Sequence, residues 1–187
     1  CESTPAVLPC TDIHGTGTGL SVGDDGSVSV AIGFNFDFYG TSRATVRVNA
    51  NGALTFGASS MNQTNQCMPY ATQPAFIAPF WDDLDPGNPG GQVLYQTLGT
   101  APNRRFVALW DAEHWSSSPS RSDIRVELYE GSNNIRFCYV DTNFGNAAYD
   151  TGETATSGIQ GSTTSYLQYS CDVASLPNGL MLDYFHP

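Results

Sequence analysis

Lysine is absent from all 187 residues, and the only strong bases are seven arginines set against 18 acids, for a net charge of −11. The absence removes Schiff-base and lysine-nucleophile chemistry and rules out the Lys-to-Asn isopeptide cross-links that strengthen some surface adhesins. The acidity repels nucleic-acid phosphates and anionic lipid head groups, so no nucleic acid is expected as a partner. Long apolar runs are also missing. None approaches the roughly 20 residues that span a bilayer, so no transmembrane segment is expected. Five cysteines occur without a CxxC pair. That argues against a zinc ribbon and for disulfides made in an oxidising compartment, hence for a secreted, extracellular or cell-surface chain. No signal peptide is present, and Cys1 reads as the acylated start of a mature lipoprotein, as a chain boundary, or as a thiol bonded elsewhere.

Catalytic signatures are equally scarce. There is no HExxH, no GxSxG elbow and no GxxxxGK[ST] phosphate loop, and His14, His114 and His186 are scattered along the chain. Asp111, Glu113 and His114 form the only local acid–imidazole cluster, which reads first as a surface group rather than a general base. The adjacent Asp82 and Asp83 would point to opposite faces of a strand, against a glycosidase carboxylate pair. The chain is not expected to be an enzyme.

What remains is a strand grammar. Hydrophobic residues make up 40% of the chain and charged residues only 13%. Short apolar segments alternate with clusters of Gly, Ser, Thr, Asn and Asp, and no helical stripe occurs. Strands are expected at Ser27–Ile32, Phe34–Phe38, Ala44–Asn49, Ala53–Phe56, Gln92–Leu98, Arg104–Asp111, Ser122–Glu130, Asn134–Asp141, Thr154–Gln160, Ser165–Cys171 and Gly179–Tyr184. Asn51-Gly52 is a type I′ hairpin signal, and Ile124, Val126 and Leu128 alternate with Arg125 and Glu127 at the period of a half-buried strand. Val46, Val48, Phe80, Trp81, Val107, Leu109, Ile124, Val126, Leu128, Ile135 and Phe137 are the expected core. The fold class that follows is all-β, a two-sheet antiparallel β-sandwich of jelly-roll type. Residues 1–19 form a Pro/Gly-rich, Cys-bearing leader whose Gly15–Gly19 stretch links or caps, and residues 20–187 form the single domain.

The most informative run is Phe76-Ile77-Ala78-Pro79-Phe80-Trp81-Asp82-Asp83-Leu84-Asp85-Pro86-Gly87, an apolar strand that breaks into three acids. Together with Phe34-Asn35-Phe36-Asp37-Phe38-Tyr39-Gly40, Val48-Asn49-Ala50-Asn51-Gly52-Ala53-Leu54-Thr55-Phe56-Gly57, Arg105-Phe106-Val107-Ala108-Leu109-Trp110 and Gly158-Ile159-Gln160, it resembles a β-sandwich module of bacterial secreted proteases and surface proteins. The pattern is also similar to the NIDO domain of nidogen-type extracellular proteins, over most of the chain from Val28 to Tyr184. The resemblance implies an appended, non-catalytic module.

Candidate sites are few. Asp82, Asp83 and Asp85 offer hard oxygen ligands for Ca2+, although the spacing is not that of an EF-hand and an aspartate ending a strand also serves a turn. Asp24-Asp25-Gly26 reads first as a hairpin turn and second as a further calcium ligand pair. Trp115, in the loop Asp111–Ser120 and next to His114, is a candidate solvent-facing ring that stacks on a ligand, whereas Trp81 and Trp110 read as core. Among the cysteines, Cys10 with Cys67 and Cys138 with Cys171 are the favoured disulfides, with a swapped pairing open and Cys1 left over. The expected function is a binding, adhesion or targeting module of a secreted or cell-surface protein, with an extracellular protein or glycan as partner. The alternative is a structural subunit that binds copies of itself, and a secreted hydrolase ranks third.

Overall fold

The computed structural model describes residues 9–57 and 60–186. Its strands are β1 (Thr18–Leu20), β2 (Ser27–Phe38), β3 (Thr41–Asn49), β4 (Ala53–Thr55), β5 (Phe76–Trp81), β6 (Leu84–Asp85), β7 (Gln92–Leu98), β8 (Arg105–Asp111), β9 (Glu113–His114), β10 (Ser117–Arg121), β11 (Asp123–Tyr129), β12 (Ile135–Asp141), β13 (Thr156–Ser162), β14 (Ser165–Cys171) and β15 (Leu180–Tyr184). They form two six-stranded sheets, ordered β1-β7-β8-β11-β12-β15 and β14-β13-β5-β4-β3-β2, and a three-stranded sheet, β10-β9-β6. Every strand pair described is antiparallel. The expected sandwich is present, with the small third sheet added at one end.

Alternation along each strand divides the apolar residues between three cores. On β8, Phe106, Ala108 and Trp110 enter the space between the large sheets and meet Val46, Val48, Leu54, Ile77 and Phe80 from the other sheet. Val107 and Leu109 point the opposite way and pack with Leu94 against Ile13. On β5, Phe76, Ala78 and Trp81 likewise face outward and are covered by Met61, Met68 and Tyr70. Both large sheets are therefore buried on both faces at their centres, which explains why Phe76–Trp81 reads as a continuous apolar run rather than an alternating one. Pro79 is tolerated because the β5–β13 register breaks between Ala78 and Trp81. All eleven expected core residues are buried, and both core tryptophans are fully so.

Each outer core is fastened by a disulfide, and here the favoured pairing is corrected. Cys10 bonds Cys138 on β12, and Cys67 bonds Cys171 on β14. The segment from Pro9 lies along the outer face of the first sheet, where the Thr11 amide donates to Glu127 at 2.7 Å. Residues 60–75 lie along the outer face of the second. Cys10 and Cys67 thus sit on opposite sides of a sandwich whose two sheets alone stand about 10 Å apart, beyond the roughly 7 Å Cα separation a disulfide can bridge. Cys138 and Cys171 are kept apart in the same way. Cys1 lies outside the described residues.

Two local expectations also change. The segment expected to link or cap contributes Thr18–Leu20 as an edge strand on β7. Asn51-Gly52 does not make a type I′ turn: Asn49 pairs with Ala53, leaving a three-residue loop with a left-handed Gly52 at φ 69°. A Cβ at Gly52 would stand 1.8 Å from the Phe80 carbonyl oxygen, so this hairpin closes directly onto the strand that precedes the acidic loop.

Candidate functional site

The acidic loop after β5 divides its three aspartates between different tasks. Asp82 is buried, accepts from the Thr154 hydroxyl at 2.7 Å and from the Asp83 amide at 2.9 Å, and lies 3.4 Å from His114 Nε2. Asp85 is also buried and accepts from the Gly87 amide at 2.8 Å, a turn-forming role. Only Asp83 joins a carboxylate cluster, and its partners are Asp24 and Asp25 from the turn before β2, all three offering oxygens within 4.8 Å of one another. Asn51 binds this group to the loop, donating to Asp25 at 3.0 Å and accepting from the Leu84 amide at 3.1 Å. Asp24 Oδ1 is buried and has no hydrogen-bond partner among the described residues. Burial, and then the neighbouring carboxylates, push the Asp24 carboxyl above its ordinary range; Asp83 is pushed up chiefly by burial, with His114 opposing. Of the candidate metal ligands Asp82, Asp83 and Asp85, Asp83 alone lies in a carboxylate cluster among the described residues, with Asp24 and Asp25.

His114 and Trp115, adjacent in sequence, have opposite surroundings. His114 lies on β9 and is buried, its ring stacked on Tyr149 at 3.8 Å and edge-on to Phe144 at 5.7 Å. The surface position expected for it is therefore wrong, because Phe144 and Tyr149 arrive from the loop after β12 to cover it. Its Nδ1 accepts from the Ser116 amide at 3.1 Å, which places the ring proton on Nε2, facing Asp82. With Nδ1 occupied and Nε2 directed at a buried carboxylate, this imidazole has no free lone pair for a substrate proton. Trp115, by contrast, is 59% exposed at the turn joining β9 to β10, where its backbone N–H donates to the Asp83 carbonyl at 2.9 Å. The ring faces solvent as expected.

Two cavities lie elsewhere, and Trp115 lines neither. One, of about 480 Å³, is a charged hollow where Asp111 pairs with Arg121 at 2.7 Å and sits 3.6 Å from His14. The other, of about 840 Å³, is a mainly apolar groove at the open side of the sandwich. One wall is β14, the last strand of the second sheet, and the other is β15, the last strand of the first. Register places Leu167 opposite Ile159, and Tyr184 opposite Ile135, so both wall residues share the inward face of their sheets. The sheets diverge there, leaving Leu167 58% exposed. Tyr39 from the β2–β3 turn closes one end, its ring lying against Gly161, where a Cβ would come within 2.3 Å of it. His186 bonds Asp37 at 3.1 Å, and this bond and the Gly40 amide hold the Asp37 carboxyl below its usual range. Among the described residues the Tyr184 hydroxyl has no hydrogen-bond partner; it is buried, which pushes its pKa well up and keeps it protonated. Nothing in sequence singled out this groove.

The model of the NIDO-related family matches residues 9–178, which takes in both outer covers and all strands but the last. The chain belongs to the NIDO-related family. Among curated proteins this NIDO-related domain is 36% identical over 83 residues to alpha-tectorin of Mus musculus, a match covering 44% of the chain and 4% of the relative. It is 34% identical over 83 residues to human alpha-tectorin, and 39% identical over 61 residues to dendrite extension defective protein 1 of Caenorhabditis elegans, 33% of the chain and 5% of the relative. The domain thus corresponds to a small part of the length of these relatives. No solved structure matches it at a significant level. Family membership and the two disulfides point to an extracellular module. No helix among the described residues is long and apolar enough to cross a membrane.

Proposed function

We propose that the domain is a non-catalytic binding module of a larger secreted or cell-surface protein, and that the groove between β14 and β15 receives its ligand, an extracellular protein or glycan. The observation that carries this reading is the groove itself: an apolar, open hollow of about 840 Å³ with Leu167 exposed in its wall. Concave, mainly apolar surfaces with a few polar groups at the rim are the usual form of a ligand site. The alternative, a structural subunit that binds copies of itself, would use the same exposed edge. Calcium belongs to the proposal as a structural ion at Asp24, Asp25 and Asp83, since it favours several carboxylate oxygens in irregular loops. Arrays of extracellular proteins and neutral oligosaccharides, probed with the folded domain, test the groove. Hits retained by Trp115→Ala and lost by Leu167→Lys support it. Hits lost only by Trp115→Ala would move the site to the β9–β10 turn.

A further inference from the structure

Edge strands with free backbone groups are ordinarily guarded by charge, proline, shortness or a bulge. Three edges of the large sheets show such guards: β1 is three residues long, β2 has a register break between Ala31 and Phe36, and β15 has Asp183 paired with Arg136 at 2.7 Å. The fourth, β14, has a register break of its own at Tyr169, between the Ser157–Ser170 and Gly158–Gln168 pairs, but it is not short, charged or proline-bearing. It is seven residues long, is an edge strand whose sheet neighbour is β13, and lies in a stretch, Thr154 to Cys171, without a charged residue. Tyr166, Leu167 and Tyr169 on it are exposed at 39%, 58% and 48%.

We infer that β14 is a site for strand addition, taking an extended peptide segment of another extracellular protein along its free edge with alternate apolar side chains in the groove. The inference rests on the binding-module reading above and names the class of ligand. Main-chain hydrogen bonds to β14 supply affinity, and the groove supplies pockets at every second residue. Charge defines the partner further. The strand is neutral along its length, but its Cys171 end is flanked by the exposed Asp172, and the exposed Glu153 lies three residues before the paired strand begins. On a molecule of net charge −11, a complementary segment is uncharged through its middle and has Lys or Arg at the end that meets those acids. A second copy of this chain brings the same −11 and no lysine, and so complements the edge poorly.

The test is selection from a random decapeptide display library with the folded domain as bait, followed by amide hydrogen exchange with the enriched peptides. Enriched sequences should alternate apolar residues and have a basic residue toward one end. They should slow exchange of β14 amides about tenfold or more, and bind Leu167→Lys about tenfold more weakly and Asp172→Asn several-fold more weakly. Because Leu167 and Asp172 are exposed, both variants should fold, and their thermal transitions check that. Equal enrichment on wild type and Leu167→Lys, no enrichment at all, or peptides that leave β14 exchange unchanged would overturn the inference. Self-association that protects β14 without peptide would assign the edge to a second copy, and a neutral oligosaccharide that perturbs Tyr39, Tyr166 and Tyr184 without protecting backbone would assign the groove to a glycan. Either result overturns the inference while leaving the groove as a binding site, whereas ligands that perturb only residues away from it sink both readings.

Discussion

Replacing Asp24 by asparagine separates a cation site from a turn. Three carboxylates offer oxygens within 4.8 Å of one another, and at that distance a like-charge contact costs about 1 kcal/mol under full water screening and about 3.5 kcal/mol at the effective dielectric of a protein surface. Asp25 is exposed and Asp24 partly so, which favours the lower figure. Asp24→Asn relieves two such contacts, so in chelator the variant should be about 1–2 kcal/mol more stable than wild type, roughly 2–8 °C in melting temperature for a domain of this size. Calcium reverses the order. At a hundredfold excess over Kd, binding adds about 2.7 kcal/mol to wild type, whereas the variant, with one ligand lost, should gain little. Asp82→Asn serves as the control: Asp82 is committed to Thr154 and the Asp83 amide, so its loss should destabilise equally in calcium and in chelator. Scanning calorimetry of the three proteins in both conditions gives the answer. A wild-type transition indifferent to calcium, with Asp24→Asn neutral in chelator, would refute the site.

Other outcomes follow from the same geometry. The Asp24 and Asp83 carboxyls are raised above the 3.8 of an unfolded chain, so the native state holds more protons just above that value and these groups lose stability as pH rises through the window. The advantage of Asp24→Asn in chelator should therefore grow from near zero below pH 3.8 toward neutrality, as read from denaturant titrations at stepped pH. Leu128 is fully buried between the sheets, and Leu128→Ala should cost about 2–5 kcal/mol in urea unfolding. Non-reducing peptide mapping should recover Cys10 with Cys138 and Cys67 with Cys171. Replacing Cys67 and Cys171 together, which opens a loop with a sequence separation of 104 residues, should cost about 3–5 kcal/mol.

How far the sequence revealed this molecule depended on whether a feature is local. The alternation of Ile124, Val126 and Leu128 was enough to place β11, and the apolar run ending at Trp81 announced a core strand, though not that both its faces are covered. The strands β6 and β9, two residues each, have no period to read, so the third sheet and the burial of His114 within it had no signal. The disulfide pairing depended on which sheet each late strand joins, and that is decided by the order of strands rather than by spacing. Asp83 was visible as a ligand candidate, but its partners Asp24 and Asp25 come from a turn before β2. The groove was hidden for a related reason. Leu167 and Tyr184 look like ordinary strand residues, and only the divergence of two edge strands leaves them facing an open space.

The most direct measurement is a nitrogen-15 NMR titration of the domain with the strongest array ligand, with amide exchange followed on the same sample. The account predicts shifts and protection at Tyr166–Tyr169 and shifts at Tyr184, with the Trp115 indole signal unmoved. Shifts centred on Trp115 and the β9–β10 turn, with β14 and the groove unchanged, would contradict it.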